Sequence, residues 1–159
     1  MFTVTQVQAI DPILQIGSQG EKVRQLQALV NPRILVADQV KVDGVFGSKT
    51  EAAVKIVQFQ FLLEQDGIVG ASTWKSLRAN APVGMPILRR GMVSKQVGIV
   101  QELLKVGNFY AGAIDNAFGI KTEAAVRAFQ KDRQLTADGV IGDRTWKALS
   151  NFATFLSID

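Results

Sequence analysis

The chain writes one sentence twice. The stretch DGVFGSKTEAAV begins at Asp43, and DNAFGIKTEAAV begins at Asp115. At that offset, residues 43–79 and 115–151 agree at roughly half of their positions, a level that makes internal duplication the first fact a fold must satisfy. The shared skeleton is D-x-x-F-G-x-K-T-E-A-A-V-x-x-x-Q, then D-G-x-x-G-x-x-T-W-K-x-L. Upstream, ILQIGSQGEKVRQLQALV from Ile13 aligns with ILRRGMVSKQVGIVQELL from Ile87, and the first copy is two residues longer before its Asp43. The division read from this is an N-terminal extension (1–12), a first repeat (13–80), a linker (81–86), a second repeat (87–151) and a C-terminal tail (152–159). The joint, ANAPVGMP, holds two prolines and a glycine and reads as short and stiff.

Each copy reads as three helices, so the expected fold is all-α: two tandem three-helix bundles. In the first helix Val23, Leu26, Leu29 and Val30 form one apolar stripe at helical spacing, and Pro32 ends it. Val97, Val100, Leu103 and Leu104 repeat the stripe. Ser18 and Glu21 fit a capping box ahead of the first copy's helix. In the second copy Met92 and Lys95 replace that box, and the cap is lost or moves to Ser94. The second helix follows Phe-Gly, with Gly47 and Gly119 suited to a strained turn or a helix start. Thr50-Glu51 and Thr122-Glu123 put acidic groups in its first turn, where the helix dipole favours them. The third helix follows Asp66-Gly67 or Asp138-Gly139, both turn dipeptides, and carries Trp74 and Leu77 or Trp146 and Leu149 inward. Phe46 and Phe118 are expected to plug the core.

Composition closes several routes to chemistry. The sequence has no cysteine and no histidine, which removes Cys nucleophiles, Cys/His zinc sites, disulfides and His general bases. Asp43, Asp66, Asp115 and Asp138 sit in turn signatures and are read as turn builders rather than as an acid/base pair for glycoside cleavage. The dense acidic spacing of a calcium loop is missing, so neither a metal nor a cofactor is expected. The net charge of +4 is scattered, without the basic stripe of a nucleic-acid binder, and lies mostly in the second half. No apolar run approaches the roughly 20 residues of a membrane span. MFTVTQVQAIDP has no basic n-region and no long apolar h-region of a secretory signal.

The ordered motif set resembles the peptidoglycan-binding domain family, a three-helix bundle often attached to wall hydrolases. Its pattern of L-Q-x-x-L, then D-G-x-F-G-x-x-T-x-x-A-V-x-x-F-Q, then D-G-x-x-G-x-x-T-W-x-x-L is followed closely by the second copy. That copy departs at Asn116, where glycine is usual. The first copy departs more: NPRILVADQVKV replaces the family's G-Y-Y-x-G turn, and Val57 stands where the second copy has Phe129. The resemblance implies non-catalytic binding of peptidoglycan in the cell envelope or outside the cell, with a catalytic wall hydrolase as partner or attached domain. Without an export signal in view, a cytoplasmic place stays open.

Glycans and stem peptides call for aromatic faces beside amides, guanidinium groups and hydroxyls. The second copy offers Phe109, Tyr110, Asn116, Gln130, Arg133 and Arg144. Tyr110 has two open readings, a ligand contact or a helix-flanking residue with a wet hydroxyl. Trp74 and Trp146 read as core. The first copy's second helix is apolar on too many sides: Ile56, Phe59, Phe61 and Leu62 replace Ala128, Lys131, Arg133 and Gln134. Such a face must be covered. Candidate covers are the second copy, the N-terminal FTVTQV, the tail residues Phe152, Phe155 and Leu156, or a second chain in a homodimer. The rival function is a structural or protein-interaction module that keeps the fold and has lost the glycan.

Overall fold

The computed structural model describes residues 10–158, which leaves FTVTQV outside the described residues. Six α-helices carry the fold: α1 (Glu21–Val30), α2 (Ser48–Gln60), α3 (Ala71–Ala79), α4 (Lys95–Val106), α5 (Ile120–Asp132) and α6 (Asp143–Ile158). Short 3-10 turns at Asn31–Arg33 and Val36–Asp38 occupy the first copy's longer connection between α1 and α2. The architecture is all-α, a three-helix unit built twice. Among the described residues, extended pairing is confined to isolated bridges, and these recur at matching places: Leu14 with Val69 and Leu88 with Ile141, Gln19 with Val45 and Val93 with Ala117.

Each unit encloses its own core. Val23, Leu26, Phe46, Val54, Val57 and Trp74 are buried in the first, and Val97, Val100, Phe118, Val126, Phe129 and Trp146 in the second. The indole nitrogens are satisfied by the segment entering each unit. Trp74 Nε1 donates to the Pro12 carbonyl at 2.9 Å, and Trp146 Nε1 to that of Pro86 at 2.8 Å. Both tryptophans are therefore core residues that also pin the strand-like entry segment. In the first unit Asp11 adds an ion pair to Lys22 (2.9 Å) and to Arg78 (2.7 Å).

Helix ends depart from the sequence reading at the Ser18/Glu21 box, and at α4, Gly47 and Gly119 they settle the alternatives it left open. The capping box does not form: Gly20 is the N-cap of α1, so Glu21 is its first helical residue, and Ser18 Oγ accepts from the Gln15 amide instead. At α4 the cap has moved to Ser94, whose hydroxyl accepts from the Val97 amide at 3.3 Å. Gly47 and Gly119 are N-caps with φ of −103° and −98°, ordinary extended backbone without strain. Left-handed geometry falls instead at Leu62 and Gln134 (φ 58° and 60°). At each, the next residue's amide closes a Schellman motif, Leu63 onto the Gln58 carbonyl and Leu135 onto that of Gln130, both at 2.9 Å or less.

The boundary at 151/152 dissolves, because α6 runs through it to Ile158 as one helix. The helix lies against α2. Ser150 Oγ donates to the Gln60 carbonyl at 2.6 Å, and Gln60 Nε2 donates to Ser157 Oγ at 2.7 Å. Phe152 and Leu156 pack on the second core, whereas Phe155 stays exposed and covers nothing. The apolar face of α2 divides in two. Leu62 is buried within the second unit's core with Phe59 packed against it, while Phe61 and Ile56 belong to the first unit's core.

Candidate functional site

Four times a buried glutamine holds a turn closed. Gln27 on α1, Gln58 on α2, Gln101 on α4 and Gln130 on α5 are enclosed by the cores. Their amide nitrogens reach Asp43, Asp66, Asp115 and Asp138 at 2.9–3.1 Å. The same nitrogens reach the carbonyls of Val45, Ile68, Ala117 and Val140. They also reach the hydroxyls of Thr50, Thr73, Thr122 and Thr145. Each glutamine carbonyl accepts the turn's amides: Gly44, Gly67 and Gly139 at 3.0 Å, or Asp115 and Asn116 in the third turn. A buried amide with every polar atom used is a stabilising hub, and it leaves no group free for a ligand. The signal was in the sequence, since a threonine stands seven residues after each of the four aspartates.

For three of the aspartates these bonds favour the ionised form. The Val45 amide, then Gln27, holds the Asp43 carboxyl below the usual carboxylate range. Gln101, then the Ala117 amide, does the same for Asp115. The Val140 amide and Gln130 do so for Asp138. A general acid needs the opposite shift. Among the described residues, no group of three His, Cys, Asp or Glu side chains converges as a metal site. No helix among them is long and apolar enough to cross a membrane.

The six nominated residues do not form one cluster. Gln130 is one of the hubs. Tyr110 is not a helix-flanking residue with a wet hydroxyl: it is buried, donates from its hydroxyl to the Ala113 carbonyl at 2.6 Å, and receives Gln101 at 3.4 Å. Phe109 is half-buried, with its ring edge-on to Phe129 at 5.4 Å. With Lys121 and Ala124 these two aromatics border a shallow depression of about 320 Å³. Arg133 is exposed at the end of α5, where its guanidinium lies over Phe152 at 4.8 Å and Phe129 at 5.3 Å. Asn116 takes the left-handed turn position with φ 63°. Arg144 and Asn116 are both exposed and set in grooves with other polar groups, Arg144 beside the Asp138 turn and Asn116 between the two units.

That groove, about 400 Å³, is lined by Ile87, Gln134, Thr136, Asp143 and Arg144 beside the Asp138 turn. Sequence reading missed Gln134 and Thr136, which the repeat alignment alone does not distinguish from loop residues. The first unit has the same groove at matching positions, including Leu62, Glu64, Asp66 and Ser72, with a volume of about 510 Å³. Its surroundings differ. Linker residues 83–86 and the α4 residues Lys95, Gln96 and Ile99 add a wall supplied by the second unit. The second unit's groove has no such wall among the described residues and faces solvent.

Residues 19–77 and 93–149 match the family model described as "Putative peptidoglycan binding domain". The two segments cover most of the chain, and the chain belongs to this family. It is 31% identical over 110 residues to the N-acetylmuramoyl-L-alanine amidase CwlM of Mycobacterium tuberculosis, covering 66% of this chain and 27% of that protein. To the N-acetylmuramoyl-L-alanine amidase CwlL of Bacillus licheniformis it is 29% identical over 157 residues, covering 84% and 44%. The chain thus spans less than half the length of these relatives. Among solved structures the SleB N-terminal domain matches at 34% identity with a TM-score of 0.42, covering 43% of this chain and 93% of that one.

Proposed function

We propose that this chain is a non-catalytic module that binds cell-wall peptidoglycan mainly through the open groove of its second unit. The observation that carries the reading is the difference between two equivalent grooves. The second unit's groove presents an exposed aliphatic side chain, Ile87, beside an amide, a hydroxyl and a guanidinium from Gln134, Thr136 and Arg144. That mixture suits a glycan, whose C–H patches are ringed by hydroxyls, and a stem-peptide carboxylate that Arg144 can grip with two parallel bonds. The first unit's groove is bordered in addition by the linker and by α4, so its surroundings differ from those of its counterpart. The amidase relatives extend well beyond the aligned region, which agrees with a targeting role here and chemistry placed elsewhere.

Sedimentation with purified insoluble peptidoglycan tests the reading. The wild-type chain is expected to co-sediment, and Arg144→Ala and Thr136→Val are expected to release it without lowering the melting temperature. Tyr110 and Gln130 are unsuitable probes, because both are built into the core. A wild-type chain left in the supernatant, or an Arg144→Ala variant retained as well as wild type, overturns the proposal.

A further inference from the structure

The wall that the second unit lends to the first unit's groove creates a cleft that neither unit has alone. The cleft of about 510 Å³ between α3, the linker and α4 continues into a smaller one of about 260 Å³ that runs toward Asn116 and Glu102. The two share Leu63, Glu64, Lys95 and Ile99. Glu64 belongs to the first unit and Lys95 to the second, and their charged ends meet at 3.6 Å. Both side chains are well exposed, so this pair is weak and easily parted. The cleft's lining is mixed, with aliphatic Leu63, Ile99, Val83 and Met85 beside polar Gln58, Asp66, Ser72, Thr73 and Gln96.

We infer that this composite cleft is a second binding site, which takes the free end of a stem peptide whose last residue carries both an ammonium and a carboxylate. Charge complementarity selects the occupant. A zwitterionic end replaces one ion pair by two, with its carboxylate on Lys95 and its ammonium on Glu64, while its aliphatic stem lies on Leu63 and Ile99. Glu102, further along the cleft, adds to the attraction for the ammonium. A neutral glycan strand has no means of compensating Glu64 and Lys95 for parting. The inference rests on the peptidoglycan-binding reading, and it assigns the two grooves different parts of the same polymer: the open one the strand, the composite one the peptide end.

The test uses the full chain with labelled methyl groups and a soluble muramyl peptide ending in a residue with free ammonium and free carboxylate. Two analogues, one N-acetylated at that ammonium and one amidated at that carboxylate, serve as controls. The free peptide is expected to shift the methyl resonances of Leu63 and Ile99. Lys95→Gln and Glu64→Gln are each expected to weaken binding about threefold to fivefold, the scale of one exposed charge contact. Lys95→Gln should leave affinity for the amidated analogue unchanged, and Glu64→Gln should leave affinity for the acetylated analogue unchanged. Both substitutions are at exposed positions and keep the fold. Silent Leu63 and Ile99 methyls at millimolar peptide, or analogues binding as tightly as the free peptide, overturn the inference. If the wild-type chain still sediments with insoluble wall material in that case, only the composite cleft fails. If it does not, the peptidoglycan-binding reading fails with it.

Discussion

Asn116 departs from the family's glycine, and the reason lies across the turn. In the first unit the turn residue is Gly44 (φ 76°), and an added Cβ there would press on the Gly20 carbonyl at 3.1 Å and on the Arg24 side chain at 3.2 Å. In the second unit the turn residue has a side chain, and the helix residue facing it is Gly98, where an added Cβ would collide with Asn116 Oδ1. Arg24 and Gly98 are equivalent, as are Gly44 and Asn116. The two sites have exchanged bulk. A glycine inside a helix costs about 1 kcal/mol relative to alanine, and here the packing explains why it is kept. Gly98→Arg alone is expected to destabilise by about 1–3 kcal/mol through overpacking, and adding Asn116→Gly should recover most of that. Melting temperatures of the two single variants and the double variant decide it, and additive losses would count against the exchange. The turn aspartates supply a second expectation. Asp43, Asp115 and Asp138 have folded pKa values below their unfolded ones. Their stabilisation is present above the ordinary carboxylate pKa of about 3.9 and is lost as pH falls through the lower folded value. The melting temperature should therefore fall with acid below about pH 4, and replacing all three by asparagine should flatten that slope. A slope unchanged in the triple variant would show that other carboxyls carry it.

At the scale of elements the helices were legible because each apolar stripe repeats at helical spacing and each is punctuated. Pro32 closes α1, and the Asp-Gly turns open the way to α3 and α6. What was not legible follows from the same dependence on template and pattern. The Ser18/Glu21 box has the right spacing, but the turn amide of Gln15 takes the serine and the helix begins two residues later than the motif assumes. The extension of α6 was hidden because the repeat template ends at Leu149, although no glycine or proline follows to stop the helix. Tyr110 looked like a ligand contact because a sequence does not show that its hydroxyl has a carbonyl to meet. The open groove was legible only through Arg144, since Gln134 and Thr136 gain meaning from a neighbour, Ile87, far away in the chain. The extra turns of α6 carry Phe152 and Leu156 onto the second core and Ser157 onto Gln60. Removing residues 152–159 is expected to cost about 1–3 kcal/mol, given that both apolar side chains are only partly buried. Increased binding of a hydrophobic dye should accompany the loss as Phe59 is uncovered. A truncated chain that melts with the wild type would show that α6 merely decorates α2.

The whole molecule depends on how the two units meet. The departures from the repeat pattern converge on one face: the apolar α2 of the first unit, its NPR turn and the long α6 of the second. Arg33 from that turn lies over Phe61 at 4.3 Å and donates to Gln60 Oε1 at 3.0 Å, and burial lowers its pKa from the usual value. Gln60 in turn bonds Ser157 and receives Ser150. One polar network thus ties three elements together beside an apolar contact formed by Phe59 and Leu62. This division changes which substitutions are informative. Phe61 sits in the first unit's own core, so Phe61→Arg would unfold that unit whatever lay beyond it. Phe59→Lys with Leu62→Gln, the residues found in the second copy, removes cross-unit contact and leaves the first core intact. Leu62 alone buries a side chain worth roughly 1.5–3 kcal/mol, held at a left-handed position that its counterpart Gln134 also adopts, so the backbone accepts the change. Calorimetry of the wild-type chain is expected to show one cooperative transition, and the double variant two, with the molar mass by light scattering unchanged. A single transition persisting in the double variant would mean that the polar network alone couples the units. A halved mass would mean that the same face joins two chains in solution, and that the packing within one chain is secondary.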